Sequence, residues 1–304
     1  MSRENNVSML PLLSAVIGGI LIGCSPIFVR VSDLGPMSTG FYRMMLAMPL
    51  LYLWMQAEDK KNGKPEKLSS KDVWTIIFAG VFFGVDIAIW NWSVDYTAIV
   101  NATLFNNTAA FFVPILAWLL YKQKPRATFV IAMITGLAGS AMLAGDSFTI
   151  SLKNVVGDLA SLISGLTVAI YVVIVKNLRE RINTGRLMLY TATVSGATLL
   201  LCALLFGETM WPLSKFDLLS IFALAILVHV GGQGLLAYSM GRVPASYVAL
   251  IMLLAPATAS VLGWLVYSES LNLLKFTGVA LIMASIIAVR EKDHIIDHPN
   301  AAKT

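Results

Sequence analysis

Thr97–Tyr121 reads TAIVNATLFNNTAAFFVPILAWLLY, 25 residues without one charged side chain. At about 1.5 Å per residue, a helix of this length crosses a bilayer. Yet it carries Asn101, Asn106, Asn107 and Pro114. Amides are costly among lipid tails, and so is the carbonyl that a proline leaves without a donor. Neighbouring helices or a water-filled cavity must satisfy them. A membrane-length helix that is polar and broken reads as the wall of a passage. In helical projection Ala98, Asn101 and Thr108 share one stripe, and Thr103, Asn107 and Pro114 another, with Asn106 free to face either side. The amides either bind a polar head group or tie helices together, at about 0.6 kcal/mol each. Their density favours cavity lining.

The rest of the chain agrees with a membrane setting. It is 57% hydrophobic and 13% charged, with a mean hydropathy of +0.76, against about 25% charged residues in a soluble domain. Apolar runs long enough to span occur at roughly 9–29, 36–55, 73–93, 97–121, 127–145, 155–176, 187–206, 217–240, 244–267 and 273–290. Their length means helix, because a spanning strand needs only about ten residues in strict alternation. The expectation is an all-α integral membrane protein with ten transmembrane helices.

Charge then sets orientation. The net charge of +5 is spread over short loops, so it implies no nucleic-acid partner. Loops on one side hold 17 Lys and Arg residues, and loops on the other hold Arg30, Lys153, Lys215 and Lys275. The positive-inside rule places both termini in the cytoplasm of a multi-pass protein of the inner (plasma) membrane. Cys24 and Cys202 lie inside apolar runs and imply neither a disulfide nor a metal framework. Leu21-Ile22-Gly23-Cys24 looks like a lipoprotein cleavage box, but it is read as part of the first span. His294 and His298 in the tail lack the further ligands a metal site needs. No cofactor is called for.

The two halves superpose at an offset of 146 residues without a gap: Gly19 falls on Gly165, Arg30 on Lys176, Ala102 on Val248 and Leu104 on Leu250. Trp118-Leu119-Leu120-Tyr121 falls on Trp264-Leu265-Val266-Tyr267, and Gln123 on Glu269. Five spans per half is an odd number, so the second copy is inverted across the membrane. Inverted repeats place a binding site at their interface, and rocking of the halves gives alternating access. The expected division is a first repeat over 1–145, a second over 146–290 and a cytoplasmic tail over 291–304.

Pro256–Glu269, PATASVLGWLVYSE, with the following LNLLKFTGVALIMASIIAV, resembles the closing helices of an EamA-type repeat. Arg43 in FYRMMLAMPL resembles the arginine of that repeat's second helix. The chain is thereby identified as a member of the drug/metabolite transporter superfamily. The resemblance implies inverted pseudo-symmetry and a central cavity lined mainly by helices one, three, four, six, eight and nine. It also implies outward movement of amino acids, metabolites, nucleotide derivatives or drugs. The first copy differs at two points: Ala110 stands where the second has Pro256, with Pro114 one turn later, and Gln123 replaces the acid Glu269.

Arg43 and Asp86 are the charges inside spans. Counted from the outer ends of their helices, Arg43 lies about 9 Å deep and Asp86 about 10 Å. At matching depth they can pair, which lowers the cost of burying both. An unpaired Asp86 instead suits proton coupling. His229 and Gln233 share one face of the eighth span, either as a pH-responsive site or as packing among Gly231, Gly232 and Gly234. Trp90, Trp92 and Tyr96 form an interfacial belt or a stacking platform. Ser161, Ser164, Thr167 and Tyr171 step along one face of the sixth span, and Ser14, Gly18 and Ser25 trace a weaker stripe on the first. The candidate solute-binding set is Asp86, Trp90, Asn101, Asn107, Ser164, Tyr171, His229 and Gln233. Arg43 with Asp86 is the ion-pair or coupling set, and Pro114 and Pro256 are the helix breaks.

No Walker loop, His-Glu-x-x-His or Gly-x-Ser-x-Gly motif supports ATP-driven or enzymatic chemistry, and no filter motif supports a channel. The reading is a secondary transporter, an exporter by family habit, of a small amphipathic or zwitterionic metabolite such as an amino acid. It works as a monomer or homodimer in the bilayer. Proton coupling has uncoupled facilitation as its rival, and a non-transporting receptor or sensor is the alternative function. The second-half counterpart of the opening stretch, Val243–Tyr267, replaces the amides with Tyr247, Met252 and Leu253. The pathway should therefore be polar on its first-half side and apolar on the other.

Overall fold

A computed structural model describes residues 9–63, 67–122, 124–145, 151–211, 214–267 and 272–292. Gln123, Glu269 and the tail from 293 onward, with His294 and His298, lie outside the described residues. Eight helices are long and apolar enough to cross a membrane: α1 (Met9–Val31), α3 (Ser70–Ser93), α4 (Ile99–Tyr121), α5 (Ala127–Ala144), α6 (Leu152–Leu178), α7 (Thr184–Leu205), α8 (Lys215–Met240) and α9 (Ala245–Val266). Between α1 and α3 runs α2 (Pro36–Asn62), with Arg43 and Pro49 inside it and a basic last turn. Last comes α10 (Leu273–Lys292), apolar over Leu273–Val289. Leu13, Ile17, Leu53, Phe78, Ile131 and Leu204 face outward, where lipid rather than water accepts apolar side chains.

Helix starts are set by local chemistry. Ser69 and Asp72 form a capping box at the start of α3, and Ser214 and Asp217 form one at the start of α8. Each box satisfies backbone donors that the first turn leaves free. Both acids also reach across the fold. Asp72 meets Arg181 at 2.9 Å, in the α6–α7 turn. Asp217 accepts from Ser32 Oγ at 3.0 Å and from the Asp33 amide at 2.8 Å, in the α1–α2 turn.

Packing follows a regular scheme. α2 runs along α7, α5 along α10, α3 against α6 and α7, α4 against α6 and α9, and α1 against α8 and α9. Glycines set the closest approaches. A Cβ on Gly19 would stand 3.0 Å from the Ile251 carbonyl oxygen, and one on Gly165 would stand 2.9 Å from the Phe105 oxygen. Gly139 and Gly278 meet reciprocally, each leaving 2.6 Å between an added Cβ and the other's carbonyl oxygen.

Several helices are interrupted. α1 turns at Cys24, between Met9–Gly23 and Ser25–Val31. In α4 the turn is at residues 107–108, between Ile99–Asn106 and Ala109–Tyr121. In α9 it is at residues 252–253. Pro256 explains the last of these. It has no N–H for the Met252 carbonyl four residues back, and Ala255 N donates to that carbonyl at 3.0 Å instead. Pro114 does not mark the break in α4 but lies inside the helix that follows it. The break precedes it because the chain tightens locally, with Thr108 N donating to Phe105 O at 3.2 Å and Ala110 N to Asn107 O at 3.0 Å. Within α8, Leu224–Gln233 is wound as a π-helix.

Candidate functional site

A cavity of about 90 Å³ lies where the interrupted helices meet, with walls from α1, α3, α4, α6, α8 and α9 and Arg43 from α2. One side is polar: Ser25, Arg43, Asp86, Asn91, Thr103, Asn106 and Asn107, all from the first half of the chain. The second half supplies Val168, Val228, Met252 and Ala255, with Gln233 its polar member. Phe83 and Trp90 add aromatic faces. Ile22, Pro26 and Ile87, also from the first half, are apolar, so the polar lining is concentrated in the first half but that half is not polar throughout.

Asp86 is held by a clasp. Its Oδ1 accepts from Ser164 Oγ at 2.5 Å and from Asn106 Nδ2 at 3.0 Å, and Asn106 also donates to Ser164 Oγ at 2.6 Å. The clasp joins α3, the end of the first segment of α4, and α6. Arg43 also borders the cavity. Among the described residues no ion pair of 4.0 Å or less joins it to Asp86, so the direct pair expected from depth is not formed. Its Nε is buried without a hydrogen-bond partner.

Of the candidate set, the cavity wall contains Asp86, Trp90, Asn107 and Gln233. Ser164 stands behind the wall and works through Asp86. Tyr171 and His229 are also behind it. Phe83 stacks on Tyr171 with ring centroids 4.4 Å apart and on His229 at 5.8 Å, so its ring screens both from the cavity. Asn101 is buried and outside the wall. The turn at residues 107–108 breaks the single helical projection of α4, and Asn106 joins Thr103 and Asn107 at the cavity. Asn106 was absent from the candidate set. Its three-amide neighbourhood was visible in the sequence, but the facing was not.

Above the cavity opens a vestibule of about 740 Å³, bordered by Arg30, Ser32, Pro36, Asp95, Ala98 and Lys275. Asn91 borders both spaces and donates to the Pro36 carbonyl at 2.7 Å. Burial and the nearby Glu208 hold the Asp95 carboxyl above its usual range, with Lys153 opposing. This is the end that carries the Asp217 contacts and the Glu208 carboxylate, which caps α2 through the amides of Met37 and Ser38. Asp158 also lies here, accepting from Thr97 Oγ1 at 2.7 Å.

The opposite end carries a cluster of charged contacts. Arg186 meets Asp59 at 2.6 Å, the Gly185 amide donates to Glu58 at 2.7 Å, and Arg181 meets Asp72. Arg179 donates through Nε to the Ala237 carbonyl at 2.9 Å and through a terminal nitrogen to the Ile182 carbonyl. Burial brings the Arg179 guanidinium down to about 10, with Glu58 the largest opposing influence, so it stays charged at neutral pH.

The arrangement is a wide vestibule, a narrow cavity joined to it at Asn91, and a far end with charged contacts. Comparison with known proteins points to transport. A transporter of Bacillus subtilis named as uncharacterized is 26% identical over 265 residues, covering 84% of each chain. One from Archaeoglobus fulgidus, named likewise, is 23% identical over 275 residues, covering 88% of this chain and 93% of its own. A pseudopaline exporter of Pseudomonas aeruginosa is 24% identical over 252 residues, covering 82% and 84%. A solved crystal structure superposes with a TM-score of 0.77 at 17% identity, over 92% of this chain and 96% of the other. The EamA-like transporter family model matches twice, at residues 9–145 and 155–290, and the chain belongs to that family.

Proposed function

We propose that the protein is a secondary exporter of a small zwitterionic or amphipathic metabolite, such as an amino acid, working by alternating access. One observation carries the reading. Arg43 and Asp86 border one cavity without a direct ion pair, and Val168, Val228 and Met252 line the same space. A solute with an anionic group, a cationic group and an apolar part answers all three. At about 90 Å³ the cavity holds only a few waters' worth of space, at about 30 Å³ each. It must widen to admit such a solute, as a gated site does.

The reading includes ten crossings arranged as two inverted five-helix repeats, with α2 and α10 completing the set, and the packing supports it. Exchanging each helix for the one five later converts α3–α6 into α8–α1 and α4–α6 into α9–α1, and both members of each pair are in contact. The Gly19–Ile251 and Gly165–Phe105 approaches correspond at the 146-residue offset. The capping boxes and the breaks in α4 and α9 fall within one residue of it. On this reading the repeats cover 1–145 and 146–290. The vestibule faces outward, and the far end, latched by its charged contacts, faces the cytoplasm of the inner membrane with both termini.

Counterflow into proteoliposomes, with the common amino acids as a pool and mass spectrometry as readout, tests the proposal. Zwitterions should exchange, and Asp86→Asn should cut their flux at least tenfold at unchanged protein level. Binding without flux would make the protein a receptor instead. Proton coupling through Asp86 predicts a rate that follows an imposed pH gradient in the wild type but not in Asp86→Asn; a wild-type rate indifferent to pH leaves uncoupled facilitation.

A further inference from the structure

The π-wound segment of α8 contains an anomaly. His229 is fully buried, and neither ring nitrogen has a hydrogen-bond partner. A buried polar group without a partner is expensive. Its neighbours on the segment are informative. Val228 and Gln233, five residues apart, both border the cavity. In an α-helix such a pair is turned by about 140°, at about 100° per residue, and cannot share one wall. In a π-helix, whose bonds run five residues, the pair lies about one turn apart on one face. The π winding is therefore what puts Val228 in the wall.

Alpha winding would change the wall in a defined way. Gln233 and His229 are four residues apart and would share a face, turned by about 40°, while Val228 would swing away. His229 already lies one side chain behind the wall, with its ring against Phe83. Gly231, Gly232 and Gly234 leave the backbone free to rewind. The charged group that acts on the ring is Arg43 of α2, and Phe83 of α3 stacks on both the ring and Tyr171 of α6.

We propose that His229 is a solute contact of the second access state. As the latched end opens, Leu224–Gln233 rewinds from π to α. Val228 leaves the cavity, and His229 takes its place beside Gln233, turning its ring nitrogens to the solute. The role is a hydrogen bond, since Arg43 already supplies the positive charge. The inference rests on the alternating-access reading and adds the residue exchange to it.

Exchange of the imidazole C2 hydrogen for deuterium, followed by mass spectrometry, reports solvent access at His229 with no substitution there. It is to be measured in lipid nanodiscs on the wild type and on the latch variant Asp59→Ala/Arg186→Ala, with His294 and His298 as internal references. Ala98→Cys in both backgrounds, treated with methyl methanethiosulfonate, reports the vestibule. Release of the latch should speed exchange at His229 several-fold while modification at position 98 slows. Slowed modification with unchanged exchange would overturn the residue exchange and leave alternating access standing. If neither signal moves, the Asp59–Arg186 contact is not the latch, and the inference, which ties rewinding to its release, falls.

Discussion

At the residue scale, the clasp on Asp86 carries the argument. Ser164→Ala removes the 2.5 Å donor and leaves Asn106 to serve Asp86 alone. Loss of one buried, charge-assisted bond costs about 1–3 kcal/mol. The expected outcome is a lower melting temperature in detergent together with about a tenfold loss of counterflow. Ser164→Thr, which keeps the hydroxyl, should retain most of both. Full activity in Ser164→Ala would reduce the clasp to packing. A second prediction concerns backbone alone. Lys122 closes α4 at φ 59°, where a side chain is strained by about 1–2 kcal/mol. Lys122→Gly should raise the melting temperature and leave transport unchanged. Arg43 and Asp86 were legible in the sequence because a charge in an apolar run needs a reason. Their failure to pair was not, since depth along two helices says nothing of the angle between them.

At the element scale, register is fixed by the glycines on which the broken helices rest. Gly165→Ala places a methyl group 2.8–2.9 Å from the Asn106 and Phe105 carbonyl oxygens. Backbone cannot yield as a flexible side chain does, and overpacking of this kind costs about 1–3 kcal/mol. Gly19→Ala meets a similar obstacle at Ile251, at 3.0 Å. Both variants should unfold at lower temperature in a thermal assay, Gly165→Ala by more. Hydropathy found nearly every helix, since the lipid-tail environment tolerates only long apolar runs. It placed one break wrongly. Proline signals a missing donor, but the turn in α4 comes from tight bonding around Asn107 and Thr108, which composition does not reveal. The π winding of α8 was not read from its residue types either.

At the scale of the whole molecule, the proposed alternating access requires that one end close as the other opens, and on that proposal the charged contacts of Arg186 and Asp59 set the balance. Arg186 and Asp59 are each less than a fifth exposed, so their pairing should exceed the 0.2–1 kcal/mol of an open surface pair. A double-mutant cycle on Asp59→Ala and Arg186→Ala, read as thiol reactivity at position 98, should give a coupling of about 1–2 kcal/mol. A value near zero would move the gate elsewhere. The repeat was legible because matching tetrads recur in matching helices, although the partner swaps between halves emerged only from packing. If the proposed solute binds here, the lining also constrains its geometry. Arg43, Asp86 and the Val168–Val228–Met252 surface fix three points that are not collinear, and a tetrahedral carbon that satisfies all three has one handedness. The transporter should therefore distinguish mirror-image solutes, exchanging one enantiomer of an amino acid far faster than the other.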